Sequence, residues 1–219
     1  MATGDSEHAG RRVQVSSADP PGATHWFRAT LRRFQLAPLM ERYPPRLVLA
    51  AFNLVNGFVS IGVIAAVAVL LSGPFVFPSA GASAFVLFFA PLAPPASPRN
   101  TILGHLVGAL AGFACLAAFG LLGADPALPG EMDWSRTLAA AGSLGITGAV
   151  MVLLRVPHPP AGATALIVSL GLLTEPLELA VLMLAIGLLV LQALIINRAA
   201  GLAYPLWAHP DDRRQGVRF

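Results

Sequence analysis

The sequence predicts an all-α integral membrane protein whose six transmembrane segments form two inverted three-helix repeats. First, 56% of the 219 residues are hydrophobic, 11% are charged and the mean hydropathy is +0.71, which leaves too little polar surface for a soluble domain. Second, nine of the 25 charged residues (14 basic and 11 acidic) lie in the 152 residues from 47 to 198. Third, a sequence motif recurs at corresponding places in the two halves of that segment.

The charge distribution divides the chain into three parts. Residues 1–46 form a polar, basic N-terminal tail. Within it, the mixture of apolar and basic residues at 24–43 predicts either a basic helix in the headgroup layer or a partner-binding segment. Residues 47–198 form the transmembrane domain, with repeats at 47–123 and 136–197. Residues 199–219 form the C-terminal tail. The N-terminus lacks the basic-then-apolar order of a signal peptide, so we expect no cleavage.

Six apolar runs lie in the transmembrane domain, and two of them are short. The runs at 80–92 and 161–173 contain about 13 residues each, and as helices they would rise only about 20 Å of the roughly 30 Å of a bilayer core. Each follows a proline-containing stretch. Each therefore predicts a short Pro-headed half-helix in the middle of its repeat. The full-length runs are 47–71, 101–123, 137–156 and 177–197.

The starts of the two half-helices are related in sequence. FPSAGASAFV from Phe77 and HPPAGATALI from His158 align without a gap at a spacing of 81 residues, which is an internal repeat. A helix start of this kind presents free N–H groups and the positive end of a dipole, and so favours anions. Alternatively, the small residues only permit tight packing. We expect the two starts to meet near the membrane midplane and to bind an anion through Gly81, Ala82, Ser83, Gly162, Ala163 and Thr164.

Arginine positions predict the orientation in the membrane. Basic residues favour cytoplasmic loops, and three crossings per repeat would place Arg99, Arg155 and Arg198 on the side of the N-terminal arginines. Acidic loops would then lie opposite, with Arg136 as the exception. An odd number of crossings inverts the repeats, whereas re-entrant short segments would make them parallel. The arginine positions predict that both termini are cytoplasmic. Because no signal peptide is expected and the use of Arg for every basic residue hints at a high-GC bacterial genome, we expect a bacterial inner membrane.

Two histidines could add chemistry to the site. His105 lies one turn into an uncharged span, and His158 lies beside the second half-helix start. Either could carry a proton that accompanies the anion, or His105 could only pack and His158 only fix the loop. Arg99 and Asn100 lie at a predicted helix start, where they could recruit anions or anchor the topology.

Other positions favour structural roles. Asn53 and Asn56 in the first span either line a path or bond to a broken helix. The third run carries a glycine face, formed by Gly104, Gly108 and Gly112, which predicts helix packing within one chain or between copies, so a homo-oligomer is one expectation. Packing is also expected for Cys115.

Several classes of function are disfavoured. The sequence contains no phosphate-binding loop, no serine nucleophile elbow, no HExxH motif and no paired membrane carboxylates, so we expect no enzyme. One cysteine and two separated histidines do not predict a metal site, and we expect no cofactor. The pI of about 10.0 reflects a net charge of only +3 beside membrane helices, so nucleic acid is not an expected partner.

Three segments resemble the HPP family of integral membrane proteins: HPPAGATAL at 158–166, GASAFVLFF at 81–89 and SPRNTILGH at 97–105. The resemblance spans 81–173. Members similar to this chain in cyanobacteria and plastids are associated with nitrite transport, so the resemblance implies transport of a small monovalent anion, nitrite first. Ser97 stands where the family pattern would have Gln. The expected partners are a small inorganic anion and the lipid bilayer.

The sequence leaves three classes of function open. A carrier would rock one repeat against the other around a central site. An aquaporin-like passive channel for small anions or neutral solutes would keep one continuous pore. A membrane scaffold would transport nothing.

Overall fold

The computed structural model describes residues 35–71, 77–126 and 132–213, so most of the proposed interfacial helix at 24–43 lies outside it. Within the described residues the chain is all-helical, as predicted. Two 3-10 turns occur, at Pro94–Ala96 and Pro210–Arg213. The helices are α1 Leu36–Arg42, α2 Pro45–Leu71, α3 Pro78–Phe89, α4 Pro98–Ala118, α5 Trp134–Leu154, α6 Ala161–Ser169 and α7 Pro176–Ala199.

In the part of the chain that the structure describes, four helices are long and apolar enough to cross a membrane, α2, α4, α5 and α7, as expected for a multi-pass membrane protein. The two predicted half-helices are also present. Helix α3 has 12 residues and α6 has nine, so they rise about 18 Å and about 14 Å. Helix α3 begins with Pro78, and α6 follows directly on Pro159 and Pro160.

Proline and polar caps set where the helices begin. Helices α2, α3, α4 and α7 each start with proline, whose fixed φ and missing N–H suit the first helical position. Ser97 accepts a bond from Asn100 N at the start of α4, and Asp133 accepts one from Arg136 N at the start of α5. A capping box formed by Glu175 and Glu178 begins α7.

Helix α6 packs directly on the glycine face of α4. A Cβ added at Gly104 would lie 2.7 Å from His158 Cβ, and one added at Gly108 would lie 2.5 Å from Ala161 O. At Gly112 it would lie 2.7 Å from Ala165 O. Only glycine allows the two backbones to approach this closely. The packing role predicted for the glycine face is therefore confirmed, and it acts within one chain.

Hydrogen bonds identify the two ends of the bundle. The end where α4 begins and α5 and α7 finish is called the arginine end: there Arg99 N donates to Trp207 O at 3.0 Å, and Leu36 N donates to Ala200 O at 3.0 Å. At the opposite end, called the acidic end, Arg136 Nη2 donates to Asp125 O at 2.6 Å. The C-terminal segment from 200 to 209 thus lies against the start of α4.

Candidate functional site

A buried cluster of histidine and hydroxyl side chains lies inside the bundle. Ser83 Oγ is 2.7 Å from His105 Nε2 and 2.9 Å from His158 Nε2. On the other side of the first imidazole, Thr164 Oγ1 is 2.7 Å from His105 Nδ1. All four side chains are fully buried. We call this set the histidine cluster: Ser83, His105, His158 and Thr164.

The cluster joins the two sequence repeats. Ser83 and Thr164 are 81 residues apart and occupy the same position in the two copies of the motif. Both bond to His105, which therefore lies between equivalent hydroxyls of the two repeats. Ser83 and Thr164 thus lie on opposite sides of one imidazole, and their binding of an anion stays a prediction.

Local sequence places the two histidines side by side. The neighbouring Gly104 has no Cβ, and this allows His158 to pack against α4. Helix α5 ends at Arg155, which adopts a left-handed conformation with φ 54°. The prolines on both sides of His158 then delay the next helix until Ala161. The imidazole centroids lie 5.0 Å apart.

The hydrogen-bond network assigns the imidazole tautomers. His158 Nδ1 is 2.7 Å from Pro95 O, and because a carbonyl only accepts, this nitrogen carries the hydrogen. In a neutral ring Nε2 then accepts the Ser83 hydroxyl. Since Ser83 has one hydrogen, it must accept from His105 Nε2–H, and His105 Nδ1 accepts from Thr164. With both rings neutral, all four bonds run in one direction, from Thr164 to Pro95.

The 3-10 turn that supplies the Pro95 carbonyl is held by side chains from three parts of the chain. Because two of its three residues are prolines, the turn has few backbone N–H donors of its own, and its carbonyls accept hydrogen bonds from side chains elsewhere in the chain. Burial raises the pKa of the Tyr204 phenol, which keeps it a donor. The bonds are Asn100 Nδ2 to Pro94 O at 2.9 Å, His158 Nδ1 to Pro95 O, and Tyr204 OH to Ala96 O.

Arg99 and Asn100 lie beside this turn rather than in the cluster. Arg99 donates to Arg155 O at 3.0 Å and to Leu154 O at 3.3 Å, which are carbonyls at the negative end of the α5 dipole. It also donates to Asn100 Oδ1 at 3.1 Å. These bonds support the anchoring interpretation, and anion recruitment by the pair stays a prediction.

Gly81 and Ala82 do not face the second repeat. Both are exposed, and Gly81 lines an apolar cleft of about 590 Å³ between α2 and α3. Gly162 is buried, but a Cβ there would lie 3.0 Å from Leu144 Cδ1 of α5, and Ala163 is half-buried. Of the six residues, therefore, only Ser83 and Thr164 share a common neighbour, His105, and binding of an anion by any of the six stays a prediction.

The N–H groups at the start of α6 are not free, contrary to expectation. They close tight turns on the preceding carbonyls, at 3.0 to 3.1 Å. At the start of α3, Ala80 N and Gly81 N both donate to Phe77 O. The α6 bonds join Ala161 N to His158 O, Gly162 N to Pro159 O and Ala163 N to Pro160 O.

Sequence reasoning missed three residues of this region: Pro95, Thr101 and Tyr204. Thr101 carried a signal, because it lies four positions before His105 on the same helical face. Its hydroxyl donates to Ser97 O at 3.0 Å and lies 3.5 Å from His158 Nδ1. Pro95 and Tyr204 carried none, since their bonds depend on tertiary packing.

The remaining polar candidates lie apart from the cluster. Asn53 Nδ2 donates to Leu49 O at 2.9 Å. Both residues lie in α2, which is continuous from Pro45 to Leu71, so the bond is not to a broken helix, and lining a path stays a prediction. Asn56 lines a second apolar cleft, of about 690 Å³, between α1, α2 and the end of α7. Among the described residues, no three His, Cys, Asp or Glu side chains are placed to hold a metal ion.

Comparison with known proteins places the chain in a family. Two proteins of Dictyostelium discoideum, both named as transmembrane proteins, are 40% and 37% identical over 93 residues, which is 42% of this chain but only 27% and 29% of theirs. The chain thus spans less than a third of these relatives. No solved structure shows significant similarity to it. The profile described as "HPP, transmembrane region" matches residues 42–205, and the chain therefore belongs to the HPP family of transmembrane proteins.

Proposed function

We propose that this protein transports a small monovalent anion, with nitrite as the first candidate, across a bacterial inner membrane. The observation that carries the proposal is His105 lying fully buried between the equivalent hydroxyls of the two repeats. Ionisable side chains are costly inside a membrane domain and mark the pathways of ions and protons. This imidazole lies where the two halves of the bundle meet.

The chemistry of the cluster suits an anion. Helices α3, α4 and α6 supply all the cluster side chains except His158, and they contain no Asp or Glu. Hydroxyl hydrogens can rotate toward a negative charge, and an imidazole N–H can donate to one. Arg99 donates to carbonyl oxygens at the end of α5. An anion bound by neutral donors can leave again, whereas a fixed buried cation would hold it tightly.

We further propose six crossings with inverted repeats. Helix α6 begins near Pro95, at the arginine end. It finishes just before Gly171, which lies at the acidic end, because a Cβ added there would be 3.5 Å from Pro126 Cα. Helix α3 finishes where Leu87 O accepts a bond from Asn197 near the end of α7. Each short helix thus leads from one end of the bundle toward the other, which supports crossing over re-entry. Both termini would lie in the cytoplasm.

Within transport, the burial of the cluster favours a carrier over an open channel. None of its four side chains has exposed surface, so an anion reaches them only after the bundle opens. Alternating access of one repeat against the other provides that opening. A carrier predicts uptake that saturates with anion concentration, whereas an aquaporin-like channel predicts linear uptake.

The test is uptake of nitrite, nitrate, formate, chloride and water by proteoliposomes, for the wild type and Thr164→Val. The substitution removes the hydroxyl bond to His105, and a bond of about 1 kcal/mol corresponds to about fivefold in rate at low anion concentration. We expect that loss for the preferred anion, with the protein still folded.

Thr147→Val is the matched control. Thr147 is also fully buried, but its hydroxyl donates to Ser143 O of its own helix at 2.7 Å, away from the cluster. It should transport like the wild type. Equal loss in both variants, or no uptake above that of protein-free vesicles, would contradict the proposal.

A further inference from the structure

We infer that Ser83 relays one proton between His105 and His158, so that the anion crosses together with a proton. The inference rests on the proposed transport and identifies what accompanies the anion. Its basis is the position of one hydroxyl between two buried imidazoles that come from different repeats.

The geometry makes Ser83 the shortest connection between the rings. Its Oγ lies 2.7 Å from His105 Nε2 and 2.9 Å from His158 Nε2, both hydrogen-bond distances. The ring planes are inclined by 57° with centroids 5.0 Å apart. A hydroxyl both donates and accepts, so it can pass a proton between two nitrogens without carrying a charge of its own for long.

The relay conserves every proton. A proton from a hydronium ion binds to His105 Nδ1 in place of the Thr164 hydrogen bond, and the ring becomes a cation with hydrogens on both nitrogens. The Nε2–H bond then breaks as its proton passes to Ser83 Oγ, while the original Ser83 hydrogen passes to His158 Nε2. His105 returns to neutrality and His158 becomes the cation. Loss of the Nδ1 proton to water then discharges His158, once its bond to Pro95 O opens. Both tautomers and the Ser83 hydroxyl are then reversed, so the starting arrangement must be restored before the next proton binds.

The surroundings limit the cluster to one proton and couple that proton to an anion. Two imidazolium rings 5.0 Å apart would repel each other. Helices α3, α4 and α6 contain no carboxylate that could balance the charge of one imidazolium. The transported anion therefore balances it. The other titratable or charged groups on the packed helices and at their ends are Arg46 of α2, Arg99 and Cys115 of α4, Asp133, Arg136 and Arg155 of α5 and its caps, Glu175, Glu178 and Arg198 of α7 and its cap, and Tyr204.

The experiment measures proton and nitrite uptake together in proteoliposomes of the full chain, with a pH-sensitive dye inside. The pH is kept above neutrality, and uptake by protein-free vesicles is subtracted because nitrous acid crosses bilayers unaided. We expect about one proton per nitrite for the wild type. Ser83→Ala should lower the proton-to-nitrite ratio at least tenfold, and Ser83→Thr, which keeps the hydroxyl, should restore it.

Ser79→Ala is the matched control. Ser79 lies on the same helix and is equally buried, and its hydroxyl bonds to no other described residue. The control should keep the wild-type ratio. Nitrite uptake without protons in the wild type, or an unchanged ratio in Ser83→Ala, overturns the relay and leaves anion transport standing. No nitrite uptake in the wild type overturns the transport proposal itself.

A second measurement does not depend on transport. Nitrogen-15 spectra of labelled histidine in the wild type should show His158 with hydrogen on Nδ1 and His105 with hydrogen on Nε2. His105→Gln and His158→Gln assign the two sets of signals. Hydrogen on the Nε2 atoms of both rings, or on neither, would overturn the relay, because Ser83 could not then accept from one ring and donate to the other.

Discussion

Replacing Gly108 with alanine tests whether close contact between α4 and α6 holds the histidine cluster together. The added Cβ would lie 2.5 Å from Ala161 O, 3.3 Å from Ala161 C and 3.4 Å from Ala165 N. All three are backbone atoms, so no side-chain rotation relieves the contact. To reach 3.0 Å, below which real Cβ contacts essentially never occur, the helices must separate by at least about 0.5 Å.

Two opposing effects set the size of the change. Overpacking of this kind costs about 1–3 kcal/mol, while alanine stabilises a helix by up to about 1 kcal/mol relative to glycine. We expect a net loss of about 1–2 kcal/mol in the free energy of unfolding. Because His105 is on α4 and Thr164 is on α6, the separation also stretches their 2.7 Å bond toward about 3.2 Å. Anion uptake should therefore fall together with stability.

The assay is thermal unfolding of the full chain in detergent, with Gly145→Ala as the control. A Cβ at Gly145 on α5 meets nothing within 4 Å, so that variant should match or exceed the wild-type melting temperature. Gly108→Ala should melt several degrees lower. If both alanine variants melt at or above the wild-type temperature, the backbone contact between α4 and α6 is not what the structure indicates.

Two further predictions concern the arginine end. Tyr204→Phe leaves the buried Ala96 carbonyl without its phenol donor and should lower the free energy of unfolding by about 1–3 kcal/mol at neutral pH. Because burial raises the pKa of Tyr204, the phenol of the unfolded chain ionises at lower pH than that of the folded protein. Wild-type stability should therefore fall as the pH rises above about 10. Thermal unfolding should show that the phenylalanine variant loses less stability at alkaline pH than the wild type, and equal losses would contradict this. Reporter fusions after residue 219 and within 127–131 should report cytoplasm and periplasm respectively, and a periplasmic signal after residue 219 would contradict inverted repeats.

The sequence predicted much of this fold because membrane helices are encoded locally. The lengths of the apolar runs identified α2, α4, α5 and α7, and prolines marked where α3 and α6 begin. Both signals lie within the segment that they predict. The repeat motif also singled out Ser83 and Thr164, and isolated polarity in apolar runs singled out His105 and His158. Each of these four residues is in the histidine cluster.

The orientation of the two motif copies could not be predicted from their similarity. Helix α6 packs on Gly104, Gly108 and Gly112 of α4, but α3 has no equivalent glycine face to pack on. The short helices of a symmetric pair therefore meet different partners, and Gly81 becomes exposed while Gly162 is buried. The residues 81 positions after the three glycines are Ala185, Leu189 and Ala193 of α7, all fully buried.

The bonds that set the tautomers also escaped prediction. The carbonyl of Pro95 and the phenol of Tyr204 reach the site only after distant segments have packed, and no periodicity or spacing marks them. The free backbone amides expected at Gly162 and Ala163 were also not found. Both amides donate to the carbonyls of the two preceding prolines, Pro159 and Pro160, and so close local turns.

Nitrite uptake by proteoliposomes is the measurement that tests the central claim most directly. Wild-type vesicles should take up nitrite faster than protein-free vesicles, with a rate that saturates as nitrite increases, and Thr164→Val should lower the rate at low nitrite about fivefold while Thr147→Val does not. Uptake equal to that of protein-free vesicles, from protein shown to be folded, would contradict the account.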